Sequence, residues 1–223
     1  LDMVLANTET RTGSAYKNMR KQNYMEFIRQ LERTLIHGQP VDGSAGNTAS
    51  QTGGIRYGIT TNSYNFAGVV QESVLDTQIE RFFRYGSDQK IFLCGGISAR
   101  VLNFLCKRQG QVILEPEADT YGLRISQYVM GDAKLMVMTS PQLKISEDGT
   151  GSITPVFNDW AWILDTAEIQ LEYLRGIDFD LIEDVQGTRT RGIKDEWLGS
   201  IGLKLGKEVH HATLQNLTNY ASG

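Results

Sequence analysis

The chain has 223 residues, of which 40% are hydrophobic and 22% charged, and its formal net charge at pH 7 is -4. This length fits one large or two small domains, and the composition is that of an ordinary globular protein. The mild negative charge argues against a broad nucleic-acid-binding surface. No apolar run approaches the ~20 residues that a membrane-spanning helix needs.

The start of the chain, LDMVLANTET, has neither the basic end nor the apolar stretch of a secretory signal. Its first residue is not Met, and a Leu/Val-containing fragment leads almost directly into a predicted helix. We therefore expect the sequence to be part of a longer polypeptide, either trimmed or processed.

A long charged helix is predicted from about Ala15 to His37, and Gly38 is expected to end it in a left-handed conformation. Its apolar stripe follows spacings of three and four along Tyr16, Met19, Asn23, Phe27, Leu31 and Leu35. So narrow a stripe predicts a helix laid across a sheet, with its charged flanks facing water or neighbouring subunits. This pattern favours assembly over chemistry.

An α/β core is predicted after a long Gly-rich surface loop over residues 39–66. A helix is predicted over 73–86 with Ser73 as its N-cap, and another over 97–108. A continuous apolar run predicts a strand buried on both faces over 90–96, and another strand is predicted over 111–116. Helix, strand, helix and strand in this order indicate a layered arrangement.

The second half is predicted to be mainly β. Strands are expected over 123–130 and 133–139, joined by a turn at Gly131 and Asp132, and over 160–165 and 169–175. Two longer strands, 193–205 and 208–217, are expected to form a terminal ribbon that turns at Gly206 and Lys207. Part of this ribbon should meet the first helix or another chain.

One motif could carry chemistry, the strand–Gly–Gly–helix junction LCGGISA at residues 93–99. Helix amides at such a junction can bind phosphate, so an enzyme with a site between Cys94 and Ser98 is an alternative. The junction lacks both the G-x-G-x-x-G and the G-K-[ST] patterns. Glycines that permit a tight turn are the simpler interpretation.

The remaining candidates are interpreted as structural. His210 and His211 should face opposite sides of a strand and cannot easily share a metal ion, while His37 suits the negative end of its helix. An acidic loop is formed by Asp178, Asp180, Glu183 and Asp184. It lacks the calcium-binding pattern, so a solvated loop is the simpler interpretation. Cys94 and Cys106 are expected to be packing thiols. No catalytic, cofactor-binding or metal-binding residue is predicted.

Several stretches together resemble a known family. They are ERTLIHG at 32–38, GGIRYGI at 53–59, WILD at 162–165, LEYLR at 171–175, EWLGSIGLKL at 196–205 and HATLQNL at 211–217. With their order of helix, strand and turn, they resemble the major head proteins of tailed bacteriophages with the Hong Kong 97-type capsid fold. The resemblance extends from about Asn7 to Tyr220.

The resemblance implies an α+β fold with three segments. Residues 1–66 would supply the spine helix and Gly-rich loop of the peripheral domain, 67–165 the α/β axial domain, and 166–223 a return to the peripheral domain as a long β ribbon. Family members also carry an N-terminal arm and an extended loop before the spine helix. Only about fourteen residues precede the helix here, so both are expected to be missing from this sequence.

The function implied is that of a non-enzymatic major capsid subunit without a cofactor. It would self-assemble as pentamers and hexamers into an icosahedral shell in the virion, enclose DNA without sequence-specific contact, and be made in the bacterial host cytoplasm. Scaffold, portal or decoration proteins would be further partners, and no membrane is implied. The expected assembly contacts are the charged spine-helix residues Arg20, Glu26, Arg29, Glu32 and Arg33. An encapsulin-type compartment shell, which shares the fold, is the main alternative.

Overall fold

The computed structural model describes residues 9–10, 13–43, 50–109, 127–144, 157–174, 179–183, 185 and 194–220. Within these residues, no helix is both long and apolar enough to cross a membrane. The α-helices are α1 (Ala15–His37), α2 (Ile55–Gly58), α3 (Glu72–Phe82) and α4 (Gly96–Gln109).

The strands are mostly short. They are β1 (Glu9–Thr10), β2 (Gly13–Ser14), β3 (Ser63–Asn65), β4 (Val69–Val70), β5 (Gln89–Cys94), β6 (Gln127–Met130), β7 (Ala133–Thr139), β8 (Ala161–Leu164), β9 (Ile169–Tyr173), β10 (Asp180–Ile182), β11 (Glu196–Leu198), β12 (Ile201–Leu205), β13 (Ala212–Gln215) and β14 (Asn219–Tyr220).

The chain divides into two compact units. Unit 1 comprises Leu1–Tyr57 and Leu171–Lys204, and unit 2 comprises Gly58–Gln170 and Leu205–Gly223. The chain therefore passes between the units three times, and each unit is built from segments distant in sequence.

Unit 2 contains a mixed six-stranded sheet with the order β3-β13-β8-β5-β7-β6. β5 runs parallel to β7 and antiparallel to β8, and β13 runs parallel to β3 and antiparallel to β8. The β6–β7 hairpin turns at Gly131 (φ +58°) and Asp132. β5 lies at the centre, as its continuous apolar sequence predicts.

The core of unit 2 lies between one face of this sheet and the helices α3 and α4. Phe92 and Cys94 on β5 point into it, as does Ile163 on β8. Leu75 and Ile79 on α3 contribute from the helical layer, with Val101, Leu102 and Leu105 on α4. Alternate residues of the strands supply this face, as the two-residue period of a strand requires.

In unit 1, α1 lies over the two-stranded antiparallel sheet of β10 and β11, here called the ribbon and distinct from the terminal ribbon predicted over 193–217. The ring of Tyr24 is 5.0 Å from that of Trp197, and the ring of Phe27 is 5.0 Å from that of Phe179. Leu181 pairs with Trp197 across the two strands. A long helix laid across a sheet was the arrangement predicted from the sequence.

The bounds of α1 are confirmed, but Gly38 does not adopt the predicted left-handed conformation. The predicted apolar stripe is also wrong in the N-terminal half of the helix. Met19 is 57% exposed and Asn23 is exposed, whereas Arg20 and Tyr24 turn towards the ribbon. Phe27, Leu31 and Leu35 are half-buried, as the stripe requires. The helix is rotated towards aromatic and ionic partners on the ribbon rather than along its most hydrophobic line.

The predicted structureless loop over 39–66 is also wrong in part. Residues 50–66 contain α2 and β3, and Ile55 and Ile59 are buried. An isolated bridge joins Val41 to Gln51, and Gly54 donates to the carbonyl of Gly38 at 2.7 Å. Residues 44–49 lie outside the described residues.

Other helix and strand predictions shift by a few residues. α3 begins at Glu72, its N-cap is Gln71 rather than Ser73, and no side chain caps it. The strand predicted at 111–116 and the first residues of the strand predicted at 123–130 lie outside the described residues, as do Asp178 and Asp184 of the acidic loop.

The continuous terminal ribbon predicted over 193–217 is wrong. β12 pairs with β9, whereas β13 lies in the six-stranded sheet of unit 2. A 3-10 turn at Glu208–His210 redirects the chain between them. The turn is held because the Glu208 carboxylate accepts from the amides of Thr60 and Thr61 at 2.5 and 2.6 Å. These bonds lower the pKa of Glu208 to about 2.

Candidate assembly surfaces

The inner side of α1 is fixed to the ribbon by charge as well as by aromatic contacts. Arg20 Nη2 lies 2.6 Å from Asp195 Oδ2, and Arg20 Nη1 lies 2.8 Å from Glu183 Oε1. The Asp195 side chain is only 10% exposed, so this pair is partly shielded from water. Arg20, predicted as an assembly contact, therefore holds the helix to its own unit.

The other four predicted assembly residues are exposed on α1. Arg29 and Glu26 form a loose pair at 3.7 Å, with both side chains more than half exposed. Glu32 and Arg33 are also exposed. An exposed pair such as Glu26–Arg29 contributes only about 0–1 kcal/mol, so its replacement by contacts with a neighbouring subunit would cost little.

A second pattern on α1 was not recognised in the sequence. Lys17, Lys21, Met25, Arg29 and Arg33 recur at intervals of four and are all exposed. Residues four apart are neighbours on a helix surface, so these five form a continuous row, here called the helix ridge. It is basic, with an apolar residue at its centre.

The ribbon of β10 and β11 also has an open side. Asp180 faces Leu198 across the strands, and Ile182 faces Glu196. All four are exposed, and because side chains alternate along a strand they lie opposite Leu181 and Trp197. We call this surface the ribbon face; two apolar side chains lie on one diagonal and two carboxylates on the other.

The strand–Gly–Gly–helix junction holds its own capping residue rather than an open anion site. Gly96 N donates to the side-chain Oδ1 of Asn158 at 2.6 Å, and Ile97 N and Ser98 N donate to the carbonyl of Asn158 at 3.1 and 3.4 Å. The Ser98 hydroxyl donates to the carbonyl of Trp160. The first amides of α4 are thus satisfied internally, as helix starts require. Sequence reasoning missed Asn158 because it lies 62 residues away.

Cys94, at the end of β5, is fully buried. Burial raises the pKa of its thiol to about 12, so the thiolate needed for nucleophilic chemistry is scarce at neutral pH.

We expect Cys94 in the native protein to react with a maleimide at pH 8 about a thousandfold more slowly than an unperturbed thiol, because its thiolate fraction is that much smaller. Labelling is followed by mass spectrometry of the peptide that contains Cys94. The same protein in guanidinium should label fast. Rapid native labelling would restore the enzyme alternative.

Lys90 is a buried cation whose three donors are all used. Its Nζ donates to the carbonyls of Phe82, Tyr85 and His210 at 2.9, 2.8 and 2.8 Å. Burial lowers the pKa of Lys90, and the charge of Asp165 opposes this shift. Three acceptors match the three N–H donors of an ammonium group, so the group ties the end of α3 to the turn before β13.

Asp165 completes this polar cluster. Its carboxylate accepts from the amide and hydroxyl of Ser87 at 2.8 and 2.9 Å and from the amide of Ala167 at 3.1 Å. Burial acts to raise the pKa of Asp165, but these bonds and the charge of Lys90 outweigh it and lower the pKa. The amide of Asp165 donates to His211 Nδ1 at 3.1 Å.

The histidine pair is therefore part of the packing. The two residues do not lie on a strand as predicted, because His210 ends a 3-10 turn and β13 begins only after His211. His210 Nδ1 lies 3.6 Å from Glu168 Oε1 and 3.9 Å from Asp165 Oδ2. Burial lowers the pKa of His211, which favours its neutral form. Among the described residues, no group of three or more His, Cys, Asp or Glu side chains could hold a metal ion.

A shallow cleft of about 620 Å³ lies in unit 2 between the end of α3 and the β6–β7 turn. It presents Arg81 and Arg84 together with Glu80 and Asp132. The mixed charges match neither a simple anion nor a simple cation, and the arrangement indicates no particular ligand.

Comparison with known proteins shows which family this chain matches. The family model described as SU10 major capsid protein matches residues 2–218. No curated protein matches the chain.

Two solved structures are similar in fold. The holo-SrpI encapsulin complex from Synechococcus elongatus PCC 7942 matches with a TM-score of 0.58 and 11% identity, over 97% of this chain and 71% of that one. The capsid of an empty GTA particle matches with a TM-score of 0.53 and 11% identity, over 91% of this chain and 66% of that one. At such identities the likeness shows the fold alone, which is the Hong Kong 97-type capsid fold. The family match extends over nearly the whole sequence, and the chain belongs to the SU10 major capsid protein family.

Proposed function

We propose that this chain is a major capsid subunit that self-assembles into the icosahedral head shell of a tailed bacteriophage and encloses its DNA. The match of the family model over residues 2–218 carries this proposal. The exposed charged and apolar surfaces of unit 1 are consistent with it, because a shell subunit must present contacts to several neighbours. Many copies supply avidity, so each contact can be weak.

The two units would divide the work of the shell. Unit 1, with α1 as the spine helix, is proposed as the peripheral domain, and unit 2, with the six-stranded sheet, as the axial domain. This proposal differs from the segments 1–66, 67–165 and 166–223 implied by the resemblance, chiefly because residues 205–223 belong to unit 2. Four of the charged residues on α1, Glu26, Arg29, Glu32 and Arg33, are proposed as assembly contacts.

We further propose that the chain has no catalytic turnover. Asn158 occupies the helix amides that a phosphate would need, and Cys94 is buried. DNA contacts would be independent of base sequence, and the mild net charge of -4 suits a wall that does not bind DNA tightly. Scaffold, portal and decoration proteins would be its further partners. The protein would be made in the cytoplasm of the bacterial host.

The test is to express the protein at its full natural length in bacteria and examine it by size-exclusion chromatography and negative-stain electron microscopy. We expect closed shells of uniform diameter. A folded protein that stays monomeric at all concentrations and salt conditions would refute the proposal. Nuclease treatment of particles isolated from the natural source then distinguishes the two alternatives. A phage head would protect the DNA inside it, whereas a compartment would hold a protein cargo.

A further inference from the structure

We propose that the helix ridge of one copy docks on the ribbon face of a second copy of this chain. This inference rests on the proposed shell-forming function and names two complementary surfaces for it. The helix ridge is Lys17, Lys21, Met25, Arg29 and Arg33, and the ribbon face is Asp180, Ile182, Glu196 and Leu198.

Charge complementarity supports this pairing. Lys21 on the ridge and Asp180 and Glu196 on the ribbon face form no ion pair with any described residue of their own chain. Arg29 has only its loose, exposed pair with Glu26. One surface is therefore basic and the other acidic, and Lys21, Asp180 and Glu196 are the charges on them that lack an ion-pair partner among the described residues.

The apolar groups complement each other as well. Met25 is 49% exposed at the centre of the ridge, and Ile182 and Leu198 are 43% and 40% exposed on the ribbon face. Met is unbranched and adapts to irregular surfaces. Seated between Ile182 and Leu198, it would bury apolar area that is now exposed to water.

The dimensions of the helix ridge and the ribbon face are compatible. Lys21 and Arg29 are eight residues apart on a helix, a distance of about 12 Å. The ribbon face is about 7 Å long and about 5 Å wide between Cα positions. Long Lys and Arg side chains at either side of Met25 can therefore reach both carboxylates while Met25 lies over the centre.

The partner must be another copy because the two surfaces face away from each other within unit 1. The inner side of α1 and the inner side of the ribbon already meet through Tyr24 and Trp197. A contact between two different surfaces of the same chain is heterologous, so it can continue from copy to copy and close into a ring. DNA or another protein on the ridge would leave the ribbon face unexplained.

A charge-swap experiment tests the pairing. Lys21→Glu with Arg29→Glu reverses the ridge, and Asp180→Lys with Glu196→Lys reverses the ribbon face. We expect each double variant to lower the yield of shells about tenfold, and the combined quadruple variant to restore most of it. Thermal melting monitored by circular dichroism confirms that each subunit remains folded.

A matched control reverses the exposed cations Lys134 and Arg100 of unit 2 to Glu and combines that change with the reversed ribbon face. This combination has the same net charge as the quadruple swap but should not restore assembly. If folded quadruple-swap subunits assemble no better than either double variant, the pairing is refuted. Failure of the unmodified protein, at its full natural length, to form shells would instead refute the proposed function.

Cross-linking gives a second measurement that does not depend on charge. Met25→Cys combined with Ile182→Cys should give a ladder of covalent oligomers on a denaturing gel after a short bis-maleimide is added to assembled shells. Met25→Cys combined with Val129→Cys, an exposed position on β6, should not. Absence of the ladder in intact shells would overturn the proposal, and so would cross-linking confined to single chains.

Discussion

Replacement of Lys90 by Met is expected to destabilise unit 2 by about 3–5 kcal/mol, because it removes the donor from three carbonyls and each buried acceptor left unsatisfied costs about 1–3 kcal/mol. Methionine fills a similar volume but donates no hydrogen bond. The carbonyls of Phe82, Tyr85 and His210 would lose the donor that now serves all three, and Asp165 would lose the cation whose charge favours its ionised form. The measurement is the free energy of unfolding in guanidinium.

Lys134→Met provides the matched control. Lys134 lies on the neighbouring strand β7, opposite Gln89, but its side chain is exposed. The same chemical change there should alter the free energy of unfolding by no more than about 0.5 kcal/mol. Equal stabilities of the two variants would show that the ammonium group of Lys90 does not hold the end of α3.

Lys90 also shows the limit of reading strands from hydrophobicity. It opens the apolar run at residues 90–96, and nothing in the local sequence predicts that a cation belongs inside the core. Its three acceptors come from the end of α3, from the following turn and from a turn 120 residues later. The burial of this charge is explained only by carbonyls that are distant in sequence and come together in the folded protein.

The elements that could be predicted are those whose signals are local. The bounds of α1 follow from its helical period and from Gly38, whose amide donates to the carbonyl of Thr34 at 2.7 Å. The β6–β7 hairpin follows from two alternating strands around Gly131, which adopts the positive φ that its turn needs.

Pairing between distant segments could not be predicted. β12 and β13 were correctly expected to be extended, but strand propensity does not choose a partner, and the chain offers β9, β8 and β3 as alternatives to a hairpin. The rotation of α1 was missed for the same reason. Met19 is more hydrophobic than Arg20, but Arg20 finds Asp195 across 175 positions of sequence.

The resemblance to tailed-phage head proteins predicted the family, which no individual residue could do. No single side chain carries a shell-forming function, because assembly depends on surfaces rather than on a reactive group. The order of a long helix, an α/β middle and later strands was sufficient to identify the family. The surfaces themselves, the helix ridge and the ribbon face, required the register of β10 with β11.

Replacement of Gly95 by Ala is expected to cost about 1–3 kcal/mol or to prevent folding, because overpacking a tight site forces the backbone to move. A Cβ at this position would overlap the backbone of Asn158, the residue that caps α4. Both sides of the contact are held by hydrogen bonds, since Gly95 N donates to the carbonyl of Trp160 at 3.1 Å. The free energy of unfolding is measured against that of Gly202→Ala, whose Cβ would meet no atom closer than 3.9 Å.

The comparison separates the two explanations of the Gly–Gly junction. If the glycines serve close packing, Gly95→Ala loses stability in the absence of any ligand, whereas Gly202→Ala is nearly neutral. If Gly95 were small in order to admit a phosphate, the unliganded protein would tolerate the added methyl group and only binding would suffer. Equal stabilities of the two variants would therefore contradict the packing explanation, and a selective loss in Gly95→Ala assigns the junction to the fold of the shell subunit.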